Sequence, residues 1–271
     1  MHENDCCTNL SGKSTVRQIL RGWAHKEDKA MDMKETTRIE VIPAEVDQTG
    51  HLPPRRLMQL LVLAGMDRNR VEGGSRTALR ERFGAAWMLR RIRLRQILPI
   101  KAGEILQGYG SGRTMLEAEY VIRGEFRKNG ELAARCDMVM MPVTLAQRVK
   151  LKPAEVECLY TTQPLNEVGD FPRLEMYPDF PYTTEKQITT SDCDENANHF
   201  ASHNYADLVC RETGYWEGEY HMMKMLQIDY VKECKTDDFI KLGARPNGAG
   251  YSIQGIHANG KPCFNAYCEY E

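Results

Sequence analysis

The chain has 271 residues, of which 42% are hydrophobic and 27% are charged, and its net charge is −2. This composition is typical of a globular protein that folds in water. The near-neutral charge argues against a general nucleic-acid binder, because no pervasive positive field is available to collect phosphates. The longest apolar run, residues 57–66, is far shorter than the ~20 residues that span a membrane.

The N-terminal thirty residues contain no apolar signal-peptide core, so we expect a cytoplasmic protein. The nine cysteines are odd in number and show no framework spacing, which indicates reduced thiols. No Cys-x-x-Cys pair occurs, and the helical pair His199 and His203 lacks the glutamate of a zinc-protease motif. We therefore predict no metal site and no cofactor.

The same succession of patterns occurs twice along the chain. Residues 36–65 read as a strand, an acid-bearing turn and an apolar helix, and residues 183–214 repeat that order. Alternating apolar and polar residues follow each helix, over 87–141 and 225–270, with the Asn-Gly hairpin signals KNGE and ANGK. The chain thus contains one unit twice.

A strand, a helix and then four or five antiparallel strands that wrap the helix predict a hotdog fold. We therefore predict an α+β tandem, or double, hotdog, with two antiparallel sheets that each wrap a central helix. The predicted divisions are an N-terminal extension (1–35), a non-catalytic unit (36–141), a Pro-rich and charged linker (142–181) and a catalytic unit (182–271).

Acids, amides and imidazole are concentrated in residues 191–205, just before a helix-like segment. The stretch SDCDENANHFASHNY carries Asp194, Asn196 and His199, groups that can orient water and hold a developing negative charge. Asp and Asn before a helix more commonly serve as caps. The pair Glu233–Cys234 on a later strand, and the degenerate earlier copy of the pattern, favour catalysis.

These two segments closely resemble the catalytic half of acyl-acyl-carrier-protein (acyl-ACP) thioesterases, whose signature is D-x-N-x-H-x-N followed by a Glu-Cys pair. The resemblance covers about residue 36 to the end. It implies a double hotdog enzyme that hydrolyses acyl-ACP to free fatty acid and holo-ACP, terminating fatty acid synthesis, with acyl carrier protein as its partner. It also implies the site residues Asp194, Asn196, His199, Glu233 and Cys234.

One departure from the family signature affects the asparagine. The family spacing is N-x-H, whereas Asn196 is separated from His199 by two residues. The distance from His199 to Tyr205 matches the family, so the extra residue lies between Asp194 and His199. Either Asn196 or Asn198 can therefore be the site amide.

Two mechanisms are compatible with the motif. In the one that we favour, Glu233 acts as general base on a water molecule, Asn196 and His199 orient the water or the carbonyl, and Asp194 fixes their positions. In the other, a Cys234 thiolate activated by His199 attacks the acyl carbon. Cys234 also fits a small buried strand residue without a chemical role.

The first unit resembles an inactive copy. Asp47 and His51 echo the catalytic turn, but Gly50 replaces the amides and Pro99 stands opposite Glu233. We predict that its helix contributes to the acyl pocket. At most one or two of five apolar residues should reach the ligand, the others being core: Leu57, Leu60, Leu61, Leu63 and Ala64.

Arg91, Arg93 and Arg95 form a basic stripe on one strand face. Such a surface suits the docking of an acidic carrier protein, although the same arginines can pair across strands with Glu117 and Glu119. The linker carries a second basic stretch of the kind found in the resembling family, made of Arg148, Lys150, Lys152 and Pro153.

Three rival functions share the fold: an acyl-CoA thioesterase, a non-catalytic acyl-binding module, and a hydroxyacyl-ACP dehydratase. The dehydratase ranks last, because the site acid lies on a strand beside a D-x-N turn. The sequence does not determine the acyl chain length or the oligomeric state, for which a homodimer is one option.

Overall fold

The computed structural model describes six stretches of the chain: 34–71, 76–116, 119–156, 171–194, 198–217 and 220–271. Asn196 lies outside the described residues, as does nearly all of the predicted N-terminal extension.

The first half of the chain is a strand, two helices and four further strands. A 3-10 turn at Pro43–Glu45 follows the first strand. The elements are β1 (Lys34–Glu40), α1 (Pro54–Val71), α2 (Arg76–Phe83), β2 (Ala85–Gln96), β3 (Ile105–Leu116), β4 (Glu119–Lys128) and β5 (Glu131–Thr144).

The second half repeats this order with a shorter central helix. It begins after a short helix in the linker and has its own 3-10 turn at Thr190–Asp192. The elements are α3 (Pro153–Val156), β6 (Thr184–Gln187), α4 (Asn204–Glu212), β7 (Met223–Tyr230), β8 (Phe239–Asn247), β9 (Gly250–His257) and β10 (Pro262–Tyr270). Among the described residues, no helix is both long and apolar enough to cross a bilayer.

The ten strands form one antiparallel sheet in the order β1-β3-β4-β5-β2-β7-β10-β9-β8-β6. This is the predicted double hotdog, with one difference: the two five-stranded sheets join edge to edge. Strand β2 pairs with β7, and Ile92 lies opposite Ile228. The pairing satisfies N–H and C=O groups that two separate edges would expose to solvent.

Backbone hydrogen bonds repeat in the two halves and fix their correspondence. Leu52 N–H donates to the Ile100 carbonyl at 2.8 Å, and Phe200 N–H donates to the Cys234 carbonyl at 2.7 Å. Position 100 therefore corresponds to 234. The residue before each, Pro99 in one half and Glu233 in the other, occupies the same place in the frame, as the sequence alignment predicts.

Helix α1 packs against the first half of the sheet at close range. A β-carbon at Gly124 would overlap the Leu61 carbonyl, so the helix backbone touches strand β4 directly. Leu61 and Ala64 are fully buried in the core, whereas Leu63 is 51% exposed. Leu63 thus lies on the solvent side of the helix, and Leu57, Leu60, Leu61 and Ala64 belong to the main core, as expected for most of the five. That the helix contributes to an acyl pocket stays a prediction.

The predicted arginine docking stripe is covered by the linker. Arg91 and Arg93 are buried, and the Phe171 ring centroid lies 4.3 Å from the Arg93 guanidinium carbon. Arg91 Nη2 lies 2.6 Å from Glu119 Oε2, as the cross-strand alternative predicts. Arg91 and Arg93 are therefore not available for docking, because Phe171 of the linker packs over them, while Arg95 is half-buried.

Candidate active site

The turn that contains Asp194 and His199 is closed by its own backbone. Asp194 N–H donates to the His199 carbonyl at 2.8 Å, and Asn198 N–H donates to the Asp194 carbonyl at 3.0 Å. Asn198 has φ +47°, a left-handed conformation that asparagine tolerates better than most residues. The stretch from Asp194 to His199 is one residue longer than the corresponding stretch from Asp47 to His51.

The structure places this turn beside the segment that carries Glu233 and Cys234. The Thr236 hydroxyl donates to Asn198 Oδ1 at 3.0 Å, and Cys193 Sγ lies 3.4 Å from Thr236 Oγ1. Together with the Phe200–Cys234 backbone bond, these contacts bring the two motifs into one place. Asp194 and His199 are half-buried, so both are partly accessible from solvent.

Helix α4 begins at Asn204, later than the sequence suggests. The sequence places the start of this helix near residues 198–200, where the first amides of a helix would be free, but the Asn198 and Phe200 amides are bonded to the Asp194 and Cys234 carbonyls. The Ala201 amide is likewise bonded to the Asp192 carbonyl at 3.0 Å. These three donors are therefore not free to bind an anion.

Glu233 lies between two basic side chains. Its Oε1 is 3.6 Å from Arg148 Nη2 and 3.7 Å from Lys235 Nζ, and its side chain is 31% exposed. Within the described part of the chain, no hydrogen bond joins the side chains of Glu233 and His199. The Glu233 carboxylate therefore lies among charged, solvent-accessible side chains and not against apolar ones.

Cys234 is fully buried, and its imidazole neighbour is His257 rather than the predicted His199. Cys234 Sγ lies 3.9 Å from His257 Nε2. A hydrogen bond with the Cys263 thiol lowers the pKa of the Cys234 thiol, burial opposes this, and a hydrogen bond with the Tyr205 hydroxyl lowers it further. Burial raises the pKa of Cys263.

A second histidine, which the sequence does not mark as a catalytic residue, lies close to Asp194. His203 precedes helix α4, and burial lowers its pKa to about 4, assisted by the charges of Arg55 and Arg56 and opposed by Asp194. The imidazole is therefore neutral at physiological pH. No motif marks His203 or His257, because each gains its partners from segments that are distant in sequence.

A cavity of about 240 Å³ opens where helix α4 meets helix α1. Most of its charged lining residues are paired: Arg55 Nε lies 3.4 Å from Asp207 Oδ2, and Lys186 Nζ lies 2.8 Å from Asp192 Oδ2. Its apolar wall comes from the second half. The lining residues are Arg55, Lys186, Ser191, Asp192, Phe200, Asn204, Asp207, Leu208 and Arg211.

Solved structures of thioesterases share this fold at low sequence identity. An acyl-ACP thioesterase from Bacteroides thetaiotaomicron has a TM-score of 0.74 at 15% identity, over 87% of this chain and 96% of that one. For a 12:0-ACP thioesterase from Umbellularia californica the TM-score is 0.74 at 14% identity, over 87% and 96%. An oleoyl thioesterase from Lactobacillus plantarum gives 0.70 at 17% identity, over 87% and 94%.

Neither the protein-family models nor the curated proteins match the chain. At identities of 14–17%, the similarity to these three structures establishes the double hotdog fold.

Proposed function

We propose that this protein hydrolyses acyl-ACP thioesters to free fatty acid and holo-ACP. The observation that carries the proposal is the position of Glu233. Its carboxylate stands in the second half at the place that Pro99 occupies in the first, one residue from the carbonyl that receives the Phe200 amide. The three similar structures named above are described as thioesterases, which agrees with this assignment.

In the proposed mechanism, Glu233 takes a proton from a water molecule as that water attacks the thioester carbonyl. The attack gives a tetrahedral oxyanion, which collapses with loss of the thiolate of the carrier's prosthetic group; protonation then yields the thiol. His199 and a site asparagine position the water or the carbonyl, and Asp194 holds the turn. Asn196 is our first choice for that asparagine, since Asn198 already accepts the Thr236 hydroxyl.

Exposed basic residues surround Glu233 and suit an acidic carrier protein. Lys232 and Lys235 flank the carboxylate on its own segment, and Arg148 reaches it from residues 145–150, all of which are exposed. That segment also carries Lys150. We propose this surface as the docking site in place of the buried arginine stripe, because complementary charge steers association and fixes orientation.

The thiolate mechanism is less well supported by the site. Cys234 is completely inaccessible to solvent, and the histidine beside it is not part of the D-x-N-x-H turn. A nucleophile must reach the acyl carbon. If water is the nucleophile, Cys234→Ala retains a measurable share of turnover, whereas complete loss together with a trapped acyl-enzyme would identify the thiol as the nucleophile.

The proposal is tested by incubating the protein with matched acyl-ACP and acyl-CoA substrates over a range of chain lengths and measuring released fatty acid. We expect a higher kcat/KM for acyl-ACP. Arg148→Glu should lower kcat/KM for acyl-ACP more than for acyl-CoA, because it reverses a charge at the docking surface, and Arg38→Glu, on exposed β1, is the matched control. Equal hydrolysis of both substrates favours an acyl-CoA thioesterase, and binding without turnover favours an acyl-binding module.

A further inference from the structure

Three side chains with soft or borderline ligand atoms converge beneath the segment that bears Glu233. Cys234 lies between β7 and β8, His257 ends β9, and Cys263 is the second residue of β10. Cys234 Sγ, His257 Nε2 and Cys263 Sγ all lie within 4.8 Å of one another, and all three residues are buried. The cluster is not used by the mechanism above, in which water is the nucleophile.

The spacing of these atoms is close to that of a tetrahedral metal site. With Zn–S bonds of about 2.3 Å and Zn–N bonds of about 2.0–2.1 Å, a tetrahedral centre separates a sulfur and a nitrogen ligand by roughly 3.5 Å. The observed separation of Cys234 Sγ from His257 Nε2 is 3.9 Å. A shift of a few tenths of an ångström would therefore bring these two atoms to coordinating distance.

The histidine has a carboxylate near its second ring nitrogen, although not at hydrogen-bonding distance. Its Nδ1 lies 3.8 Å from Asp238 Oδ2, on the side of the ring opposite to Cys234. Ligating imidazoles commonly hold their second nitrogen against a carboxylate, which fixes the ring and directs the other nitrogen at the metal. Asp238 is itself held, since its Oδ2 accepts the Lys235 amide at 2.8 Å.

We propose that Cys234, Cys263 and His257 form a binding site for a thiophilic divalent cation of the zinc class. Two thiolates and one imidazole are a known zinc ligand set, and a water molecule can take the fourth position. The site would tie the loop that carries Glu233 to the β9–β10 hairpin. The proposal is independent of the hydrolytic activity and does not require turnover.

The test is metal binding by the full-length protein after removal of metal with a chelator and reduction of thiols. Titration with Co²⁺ should produce thiolate-to-cobalt charge transfer and the visible absorption of a tetrahedral centre, saturating at one ion per chain. Competition with a chromogenic chelator then measures Zn²⁺ affinity. Cys263→Ser and His257→Gln should each weaken Zn²⁺ binding by about 100-fold or more, and Asp238→Asn by about 10- to 100-fold.

Two controls separate this site from other thiols. Cys268→Ser removes a buried cysteine on the same strand as Cys263 but outside the cluster, and a Cys6→Ser, Cys7→Ser variant removes the N-terminal pair. Both should retain wild-type affinity. Asp238→Asn keeps the proposal testable if the buried variants fail to fold, because its side chain is 40% exposed. The proposal is overturned if wild-type protein gives no cobalt–thiolate absorption, or if Zn²⁺ affinity falls with the Cys6/Cys7 variant and not with Asp238→Asn.

Discussion

The turns that precede the two central helices share a backbone frame but differ in how their polar groups are occupied. In the first half, the Thr49 hydroxyl donates to Asp47 Oδ1 and lies 3.0 Å from His51 Nδ1, while the His51 ring stacks on Tyr220 at 3.7 Å. In the second half, the loop is one residue longer, and Asn198 bonds outward to Thr236. In the first turn, the polar side chains thus bond to one another. In the second turn, a polar side chain bonds to the segment that carries Glu233.

The central helices of the two halves, α1 and α4, also differ in length and in packing. Helix α1 has 18 residues and contacts strand β4 through Gly124, whereas α4 has 9 residues and its Leu208 faces the cavity. The first half is therefore closely packed at its helix, whereas a cavity borders the helix of the second half. If only the second half is catalytic, as we propose, duplication of the fold has not duplicated its chemistry.

The largest difference between the halves should appear on removal of Glu233. Glu233→Ala should lower kcat by about two to four orders of magnitude while acyl-ACP binding stays nearly intact, as expected for a lost general base. Steady-state release of fatty acid and equilibrium binding of acyl-ACP measure the two effects. In the first half, Asp47→Ala and His51→Ala should leave kcat almost unchanged.

Glu185→Ala, which removes an exposed carboxylate on β6, is the matched control. Activity of Glu233→Ala within a few-fold of wild type would remove Glu233 from the mechanism. A large loss of kcat in Asp47→Ala would show instead that both turns take part.

Much of the fold follows from local patterns. The Asn-Gly signals are the hairpin turns between β4 and β5 and between β9 and β10, with Gly130 and Gly260 at positive φ. The correspondence of Pro99 with Glu233 also follows from aligning the two repeats. These features depend on residues that are close in sequence or on a direct internal comparison.

The features that the sequence does not predict depend on tertiary contacts. Arg91 and Arg93 alternate along β2 as exposed residues do, yet they are buried, and Phe171 of the linker packs on both. Helix α4 begins late because distant carbonyls bind the amides before it. Cys234 and His257 come into contact only when the strands of the second half assemble into the sheet. No short sequence motif indicates that contact.

The inserted residue of the second turn gives the next test. If Asn196 positions the reacting groups, Asn196→Ala should lower kcat by at least ~10²-fold, the scale of one lost oxyanion contact. Asn198→Gly should change kcat by no more than a few-fold. Glycine is the appropriate substitution at Asn198, because it removes the amide and keeps the left-handed backbone conformation at little cost.

The opposite pattern, with a large loss in Asn198→Gly and a small one in Asn196→Ala, would mean that the insertion shifts the register of the turn. Asn198 would then be the site amide. Thr236→Val, which removes the hydroxyl that bonds to Asn198, should in that case also lower kcat.

The close packing of the first half can be tested through stability. Gly124→Ala should lower the free energy of unfolding by about 3 kcal/mol, because the added methyl group meets the backbone of α1 at Leu61. Gly65→Ala should cost about 1 kcal/mol, since the nearest atom is the flexible end of Met138 and the backbone atoms of strand β4 are farther away, at 3.3 Å. Urea unfolding of the two variants measures the difference. Equal small losses would show that the contact between α1 and β4 can widen enough to admit a methyl group.

The smallest expected effect concerns His203, which stands where the first half has Arg55. Its pKa of about 4 in the folded protein lies below the ordinary value of 6.5, so the unfolded chain binds one more proton between these values. Stability should therefore fall as the pH is lowered from about 7 to about 4. Since the side chain is partly exposed and screened by solvent, we expect this contribution to be on the order of 1 kcal/mol.

Urea unfolding from pH 7 to pH 4.5 should show a shallower loss of stability in His203→Gln than in wild type, while His221→Gln, at an exposed histidine, should follow wild type. An identical pH dependence in His203→Gln would mean that the pKa of His203 is the same in the folded and the unfolded protein.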